Sequence, residues 1–284
     1  MQPVAADTLH GLVLSVGRAH GARVAVTFDA GGARGSESES SESESLSYSE
    51  LLSAAERLSG LLRARGPPEE RLFGLYCEPG LRVPAWILGI LQVPAAYVPL
   101  DPEGAPVQSV RVMEQSGLNY CVVQRHLVQR FNARFSSLVS MEVCAEWQSE
   151  DITLFRIHRG AAAQQPGHEG VPLSLLSAAQ SHLAGQQGLA YVLHTSGTTG
   201  WPKTVRVPHE CIVPNIIHIR SLFQVTAEDI IFMASPLTFD PSVVDMFVAL
   251  SSGARLLIVP TITKRNPNKL AATLFKKHQN TILQ

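Results

Sequence analysis

Residues 191–203 read YVLHTSGTTGWPK. An apolar run of strand character, 189–195, enters a loop made of Thr195, Ser196, Gly197, Thr198, Thr199 and Gly200, and Lys203 follows. Residues this small leave room for a phosphate. Glycines let backbone N–H groups come close to an anion, Ser and Thr hydroxyls add donors, and a lysine adds charge without demanding a fixed geometry. The residue types and their order therefore point to phosphate-handling chemistry. The spacing is not that of a Walker A loop, because from Gly197 the chain reads GTTGWPK and not GxxxxGK[ST]. A polar turn beside a surface lysine would use the same residue types, so the flanking sequence has to decide.

On both sides of this stretch, apolar runs of strand length alternate with helical periodicity. Upstream these are strands at 72–77, 95–100 and 120–124, a proline-opened helix around 86–92 and a helix near 107–116. Downstream a strand at 230–234 precedes a helix at 241–252 closed by Gly253, and a strand at 255–259 follows. Asn266 and Pro267 then open a helix through Lys277, and another strand begins at 281–284. Such alternation predicts an α/β fold with largely parallel sheets flanked by helices. Ser47 and Glu50 have capping-box spacing, and Leu51, Ala55, Leu58 and Leu62 recur at helical intervals until Gly66 and Pro67 stop the run. Residues 83–100 carry no charge, but Pro84, Pro94 and Pro99 interrupt them, so they read as a buried helix followed by a strand rather than a membrane span. Two stretches lack periodicity. Residues 36–45, SESESSESES, have no apolar side chain and are expected to form a solvated loop; 159–188, rich in Gly, Ala, Gln, Pro and His, is expected to be a loop or subdomain junction.

Composition narrows the class further. With 284 residues, 45% of them hydrophobic, the chain can bury a sizeable core. Its 23 basic residues nearly balance 24 acidic ones, which argues against a nucleic-acid binder driven by bulk charge. Cys77, Cys121, Cys144 and Cys211 are scattered without CxxC or Cys/His ligand spacing, so neither a disulfide framework nor a zinc site is indicated. A reducing, intracellular and cytoplasmic setting is expected. Asp7 and His10 fall where a secretory signal would need apolar residues.

The octet SGTTGWPK, residues 196–203, resembles the phosphate-loop signature of the adenylate-forming superfamily, which includes acyl-CoA synthetases, luciferases and the adenylation domains of nonribosomal peptide synthetases. Thr204 stands where that superfamily usually has glycine, a departure that bears on the mobility of the loop's exit. LSYSEL at 46–51 is similar to the first core motif, and ILQVPAAYVPLDP at 90–102 to the second, with Val93-Pro94-Ala95 replacing an Ala-Gly-containing stretch. Core packing is the best physical reading of both. TFDPSV at 238–243 resembles the fourth motif of the amino-acid-activating members. WILGILQVPAAYVPL, LAYVLHTSGTTG, VRVPH, CIVPNI, ASPLTFDPSVV and ALSSGA extend the resemblance to members that activate β-alanine.

The resemblance implies the incomplete N-terminal core of an adenylate-forming enzyme. It implies ATP-dependent activation of an amino acid, β-alanine, as an acyl-adenylate with Mg²⁺, and then transfer to a phosphopantetheine thiol on a carrier domain of the same protein. Thr195, Ser196, Gly197, Thr198, Thr199, Gly200 and Lys203 would hold the phosphates. Asp240 has two readings. It precedes Pro241 at the start of a predicted helix, where it could serve as an N-cap, and the resemblance makes it the carboxylate that binds the substrate ammonium. Phe239 could wall the acyl pocket or belong to the core.

His194, His209 and His218 show no metal-ligand spacing, and Ser196 lacks the GxSxG elbow of a nucleophile. The superfamily's later elements, including its lid lysine, are not matched, so no catalytic residue is assigned and little adenylation is expected from these 284 residues alone. A noncatalytic isoform with weak nucleotide or partner binding, and a synthetase for a non-amino acid, stay open as alternatives.

Overall fold

Apolar runs too continuous for one wet face imply strands covered on both sides. The computed structural model describes residues 7–31, 43–65, 71–158, 188–196 and 202–282. In chain order these form α1 (Leu9–Ala19), β1 (Val24–Asp29), β2 (Ser43–Ser47), α2 (Tyr48–Arg65), β3 (Leu72–Tyr76), α3 (Val83–Leu91) and β4 (Ala96–Leu100). Next come α4 (Pro106–Ser116), β5 (Tyr120–Gln124), α5 (Val128–Phe135), β6 (Ser140–Trp147), β7 (Ile152–His158), β8 (Leu189–Ser196), β9 (Pro202–Pro208) and α6 (His209–Leu222). The last are β10 (Ile230–Phe232), α7 (Asp240–Ser252), β11 (Arg255–Ile258), α8 (Thr261–Lys264) and α9 (Pro267–Ala271), which runs on as a π-helical turn over Ala272–Lys277.

Two sheets result, one ordered β10-β11-β1-β2 and the other β6-β7-β5-β3-β4-β8-β9. Parallel pairing joins β10, β11 and β1 in the first sheet and β5, β3, β4 and β8 in the second. Antiparallel strands take the margins: β2 beside β1, β7 and β6 beyond β5, and β9 beside β8. The predicted parallel α/β character holds at the sheet centres, where β3 and β4 are buried at every position.

Helices fill the space between the sheets. α3 is buried along its whole length and shares one apolar cluster with α1, α2, α7 and strands of both sheets. Gly89 permits this: a Cβ there would sit 2.9 Å from both the Ala55 carbonyl and Leu58 Cβ, so α2 and α3 meet at backbone distance. On the outer face of the larger sheet, Tyr76, Val98, Val123 and Val192 pack with α4 and α5. There the Phe131 ring lies 5.0 Å from Tyr76 and 5.1 Å from Phe155.

Local signals act as read. Glu50 N–H donates to Ser47 Oγ at 3.2 Å and Ser47 N–H to Glu50 Oε2 at 2.8 Å, closing the capping box at the head of α2. Gly253, at φ 78°, ends α7, and the Asn266 side chain accepts from Lys269 N–H at 3.1 Å. Ile282 bridges Ile231 in parallel, so the strand expected from 281 begins beside β10. No helix among the described residues is long and apolar enough to cross a membrane.

One expectation needs correction. Of the Ser/Glu segment 36–45, residues 36–42 lie outside the described residues, but Ser43, Glu44 and Ser45 belong to β2 and pair with Asp29, Phe28 and Thr27. Ser45 Oγ lies 2.9 Å from Thr27 Oγ1. An edge strand draws its stability from the backbone ladder and tolerates charged, solvent-facing side chains, so composition alone could not reveal it. Of the stretch 159–188, residues 159–187 lie outside the described residues.

Candidate nucleotide and substrate site

β8 and β9 form an antiparallel hairpin that sets Thr195 opposite Lys203 and Ser196 opposite Pro202. Gly197, Thr198, Thr199 and Gly200 lie outside the described residues. Thr195 and Lys203, expected to bound a turn, are strand residues at the foot of the hairpin. Both are exposed, and directly opposed residues share a face of the sheet, so a hydroxyl and an ammonium stand side by side. Thr204 lies on β9, with its hydroxyl donating to Gln115 Oε1 at 3.4 Å.

Beside this hairpin a proline opens a cleft. Ala96 N–H donates to the Arg71 carbonyl on the β3 side, and amide directions alternate along a strand, so residues 97 and 99 direct their amides toward β8. Position 99 is proline and has no N–H to offer. The β4–β8 ladder accordingly has the single register pair Tyr97–Tyr191. Beyond that pair lies a cleft of about 260 Å³, lined among others by Pro99, Asp101, Ser109, His194, Thr195 and Thr238. A second cleft of about 420 Å³ shares Leu100, Asp101 and Thr238 with the first and reaches Glu78, Ile262 and Arg265. Both clefts lie at the carboxyl ends of parallel strands, where open α/β sheets place ligands.

His194, on the cleft wall, lies 3.3 Å from Ser116 Oγ through Nε2. Burial, with the Arg206 charge, pushes its pKa down to about 4, so at neutral pH it offers hydrogen bonding and no positive charge. His209 is buried against His10, and His218 is exposed. Cys77 borders the larger cleft as a buried thiol whose pKa burial raises, which keeps it protonated.

The segment after β10 carries the other candidates. Phe239 N–H donates to the Pro236 carbonyl at 2.9 Å, and the Ser242 hydroxyl to the Phe239 carbonyl at 2.7 Å, which holds the entrance to α7. Phe239 is 62% exposed and does not line either cleft, whereas Thr238 lines both. Asp240 is the first residue of α7, which has no side-chain cap. Its Oδ1 instead accepts a hydrogen bond of 2.5 Å from the Tyr191 hydroxyl. Tyr191 and Thr195 project from the same face of β8, about 13 Å apart along the strand at ordinary strand rise. One strand therefore joins the Asp240 carboxylate to the hairpin.

Sequence reading missed Tyr191, Asp101 and Thr238. The signal available was their place: Asp101 follows the strand end in YVPLD, and Tyr191 precedes Thr195 by an even number of residues.

A family model described as "AMP-binding enzyme" matches residues 15–284. The "Beta-alanine-activating enzyme" of Danio rerio is 46% identical over 98% of this chain and 23% of its own length. The enzyme of that name from Mus musculus is 45% identical over 98% of this chain and 26% of its own length. This chain thus spans about a quarter of the curated relatives it matches. Among solved structures, the AMPPNP-bound form of the nonribosomal peptide synthetase FmoA3 (S1046A) is 25% identical with a TM-score of 0.66, covering 99% of this chain and 25% of that one.

Proposed function

The chain belongs to the AMP-binding enzyme family, and we propose that in the full-length protein it activates the carboxylate of an amino acid, β-alanine, with ATP. In this reading a carboxylate oxygen attacks the α-phosphorus, the bond from that phosphorus to the bridging oxygen breaks, and pyrophosphate leaves with the electron pair. The phosphopantetheine thiol of a carrier domain of the same protein then loses its proton and attacks the acyl carbon, the bond from that carbon to the phosphate oxygen breaks, and AMP leaves with the electron pair. The residues present fit a polyanion. Thr195 and Lys203 stand together at the foot of the hairpin, and the Gly/Ser/Thr residues between them supply small side chains and N–H donors. Mg²⁺ bound with ATP would neutralise phosphate charge.

The observation that carries the amino-acid reading is the position of Asp240. A carboxylate anchored on β8, the strand that leads into the phosphate hairpin, suits a substrate with an ammonium at one end and a reacting carboxylate at the other. The test is amino-acid-dependent ATP–pyrophosphate exchange by the full-length protein, comparing β-alanine with propionate, which lacks only the amine. Asp240→Ala is expected to lower kcat/KM for β-alanine by about a hundredfold while leaving propionate unchanged, in line with removal of one partner of a charge pair. An unaltered preference for β-alanine would remove Asp240 from substrate binding.

A further inference from the structure

Resting on that reading, we infer that Tyr191 is a positioning residue that sets amine recognition by holding the Asp240 carboxylate in a single orientation.

Tyr191 is fully buried on β8, and its ring lies 5.9 Å from that of Tyr97 in the neighbouring parallel strand, at 35° between planes. Two sheet strands thus fix the ring. From this fixed base the hydroxyl donates to Asp240 Oδ1 at 2.5 Å. Asp240 itself is exposed, at the first position of a helix whose next residue is a proline. An exposed aspartate in that place would rotate freely about χ1 and could turn toward the unpaired N–H groups of the first helical turn. The tyrosine removes that freedom. It occupies one oxygen with a charge-assisted hydrogen bond and leaves the other, on an exposed residue, free to accept from a ligand. Burial, reinforced by the adjacent carboxylate, raises the phenol's pKa, so the hydroxyl remains a donor throughout the working pH range.

Pre-orienting a charged group cuts the ordering that ligand binding would otherwise require. The effect belongs to the amine alone. A ligand without one gains nothing from the fixed carboxylate, and in the proposed reading ATP would sit at the far end of β8. A merely structural tyrosine would affect all substrates equally.

The experiment uses the full-length protein with Tyr191→Phe, Asp240→Asn and the double variant, with pyrophosphate exchange measured on β-alanine and propionate and thermal melting measured on each protein. Tyr191→Phe keeps the ring and its packing. It is expected to raise KM for β-alanine about tenfold, the size of one hydrogen bond to a charged group, with kcat and the KM values for ATP and propionate within twofold. In the double variant the two effects are expected to be non-additive, because Tyr191 acts only through Asp240. If Tyr191→Phe leaves β-alanine KM unchanged while Asp240→Asn raises it, this inference fails and the amine-binding reading stands. If Asp240→Asn has no effect either, that reading fails as well. Equal losses for both acids, additive effects in the double variant, or a Tyr191→Phe chain that does not fold would make Tyr191 structural and overturn the inference.

Discussion

Glu150 shows how much a single side chain can depend on one partner. Its carboxylate is 2% exposed, and Arg57 Nε meets it at 2.7 Å from α2, with Arg82 more distant at 3.7 Å. The Glu150 carbonyl also accepts from Trp86 Nε1 at 3.1 Å, which pins α3 to the turn before β7. The two ends of the pair are unequal, since the Arg57 side chain is 54% exposed and can return to water when its partner is removed. Arg57→Ala is therefore expected to destabilise the chain by about 3 kcal/mol, because it leaves a buried charge poorly compensated. Glu150→Gln should cost only about 1 kcal/mol. Urea unfolding of both variants checks the order, and a larger loss for Glu150→Gln would contradict it. Nothing in the sequence marks this pair, whose members stand 93 residues apart.

At the scale of elements, α1 and α6 meet through two histidines. Leu9 N–H donates to His209 Nδ1 at 3.2 Å, and the His10 and His209 rings pack edge to face with centroids 5.7 Å apart. Burial pushes both pKa values down to about 4, and the His10 charge adds to the effect on His209. Both rings are thus neutral in the fold, whereas in the unfolded chain each takes up a proton near pH 6.5. Stability from this contact is complete above about pH 6.5 and is lost as pH falls toward 4, because the unfolded state binds the extra protons. Replacing His10 with Leu removes one of these titrations. The fall in Tm between pH 7 and pH 5 is expected to be smaller for His10→Leu than for the parent chain, and equal falls would exclude the contact as a source of acid sensitivity. α1 itself was not legible in advance, and neither was the pairing of β2, since both depend on partners distant in sequence.

For the whole molecule, the segment that leaves β10 toward the clefts is held between α7 and α8. Lys264 Nζ donates to the Met233 carbonyl at 2.7 Å and the Ala234 carbonyl at 3.0 Å, and Ala234 N–H donates to Asp245 Oδ2 at 3.2 Å. Burial raises the Asp245 pKa to about 6 and lowers that of Lys264 to about 8. The folded Asp245 keeps its proton up to about pH 6, while the unfolded one releases it near 3.8, so its contribution to stability declines as pH rises through that window. Asp245→Asn abolishes this decline and retains an oxygen for Ala234 N–H. The Tm difference, variant minus parent, is expected to grow between pH 4 and pH 6. Thermal melts across that range test it, and a constant difference would show that Asp245 does not titrate there.

Helices, strand centres and caps were readable because the interactions that make them lie within a few residues. The Ser47–Glu50 box, Gly253 and the buried strands β3 and β4 each carry their reason in adjacent sequence. The Gly/Ser/Thr stretch ending in Lys203 could be picked out for the same reason, since its small residues and its lysine are contiguous. Tertiary structure alone decided that Pro99 would end a ladder and open a cleft, and that Tyr191 would reach Asp240 across 49 residues of chain. Local periodicity specifies which face of a strand is buried. Which strand becomes its neighbour follows from sheet order, and sheet order is settled by packing between segments that the chain itself keeps far apart.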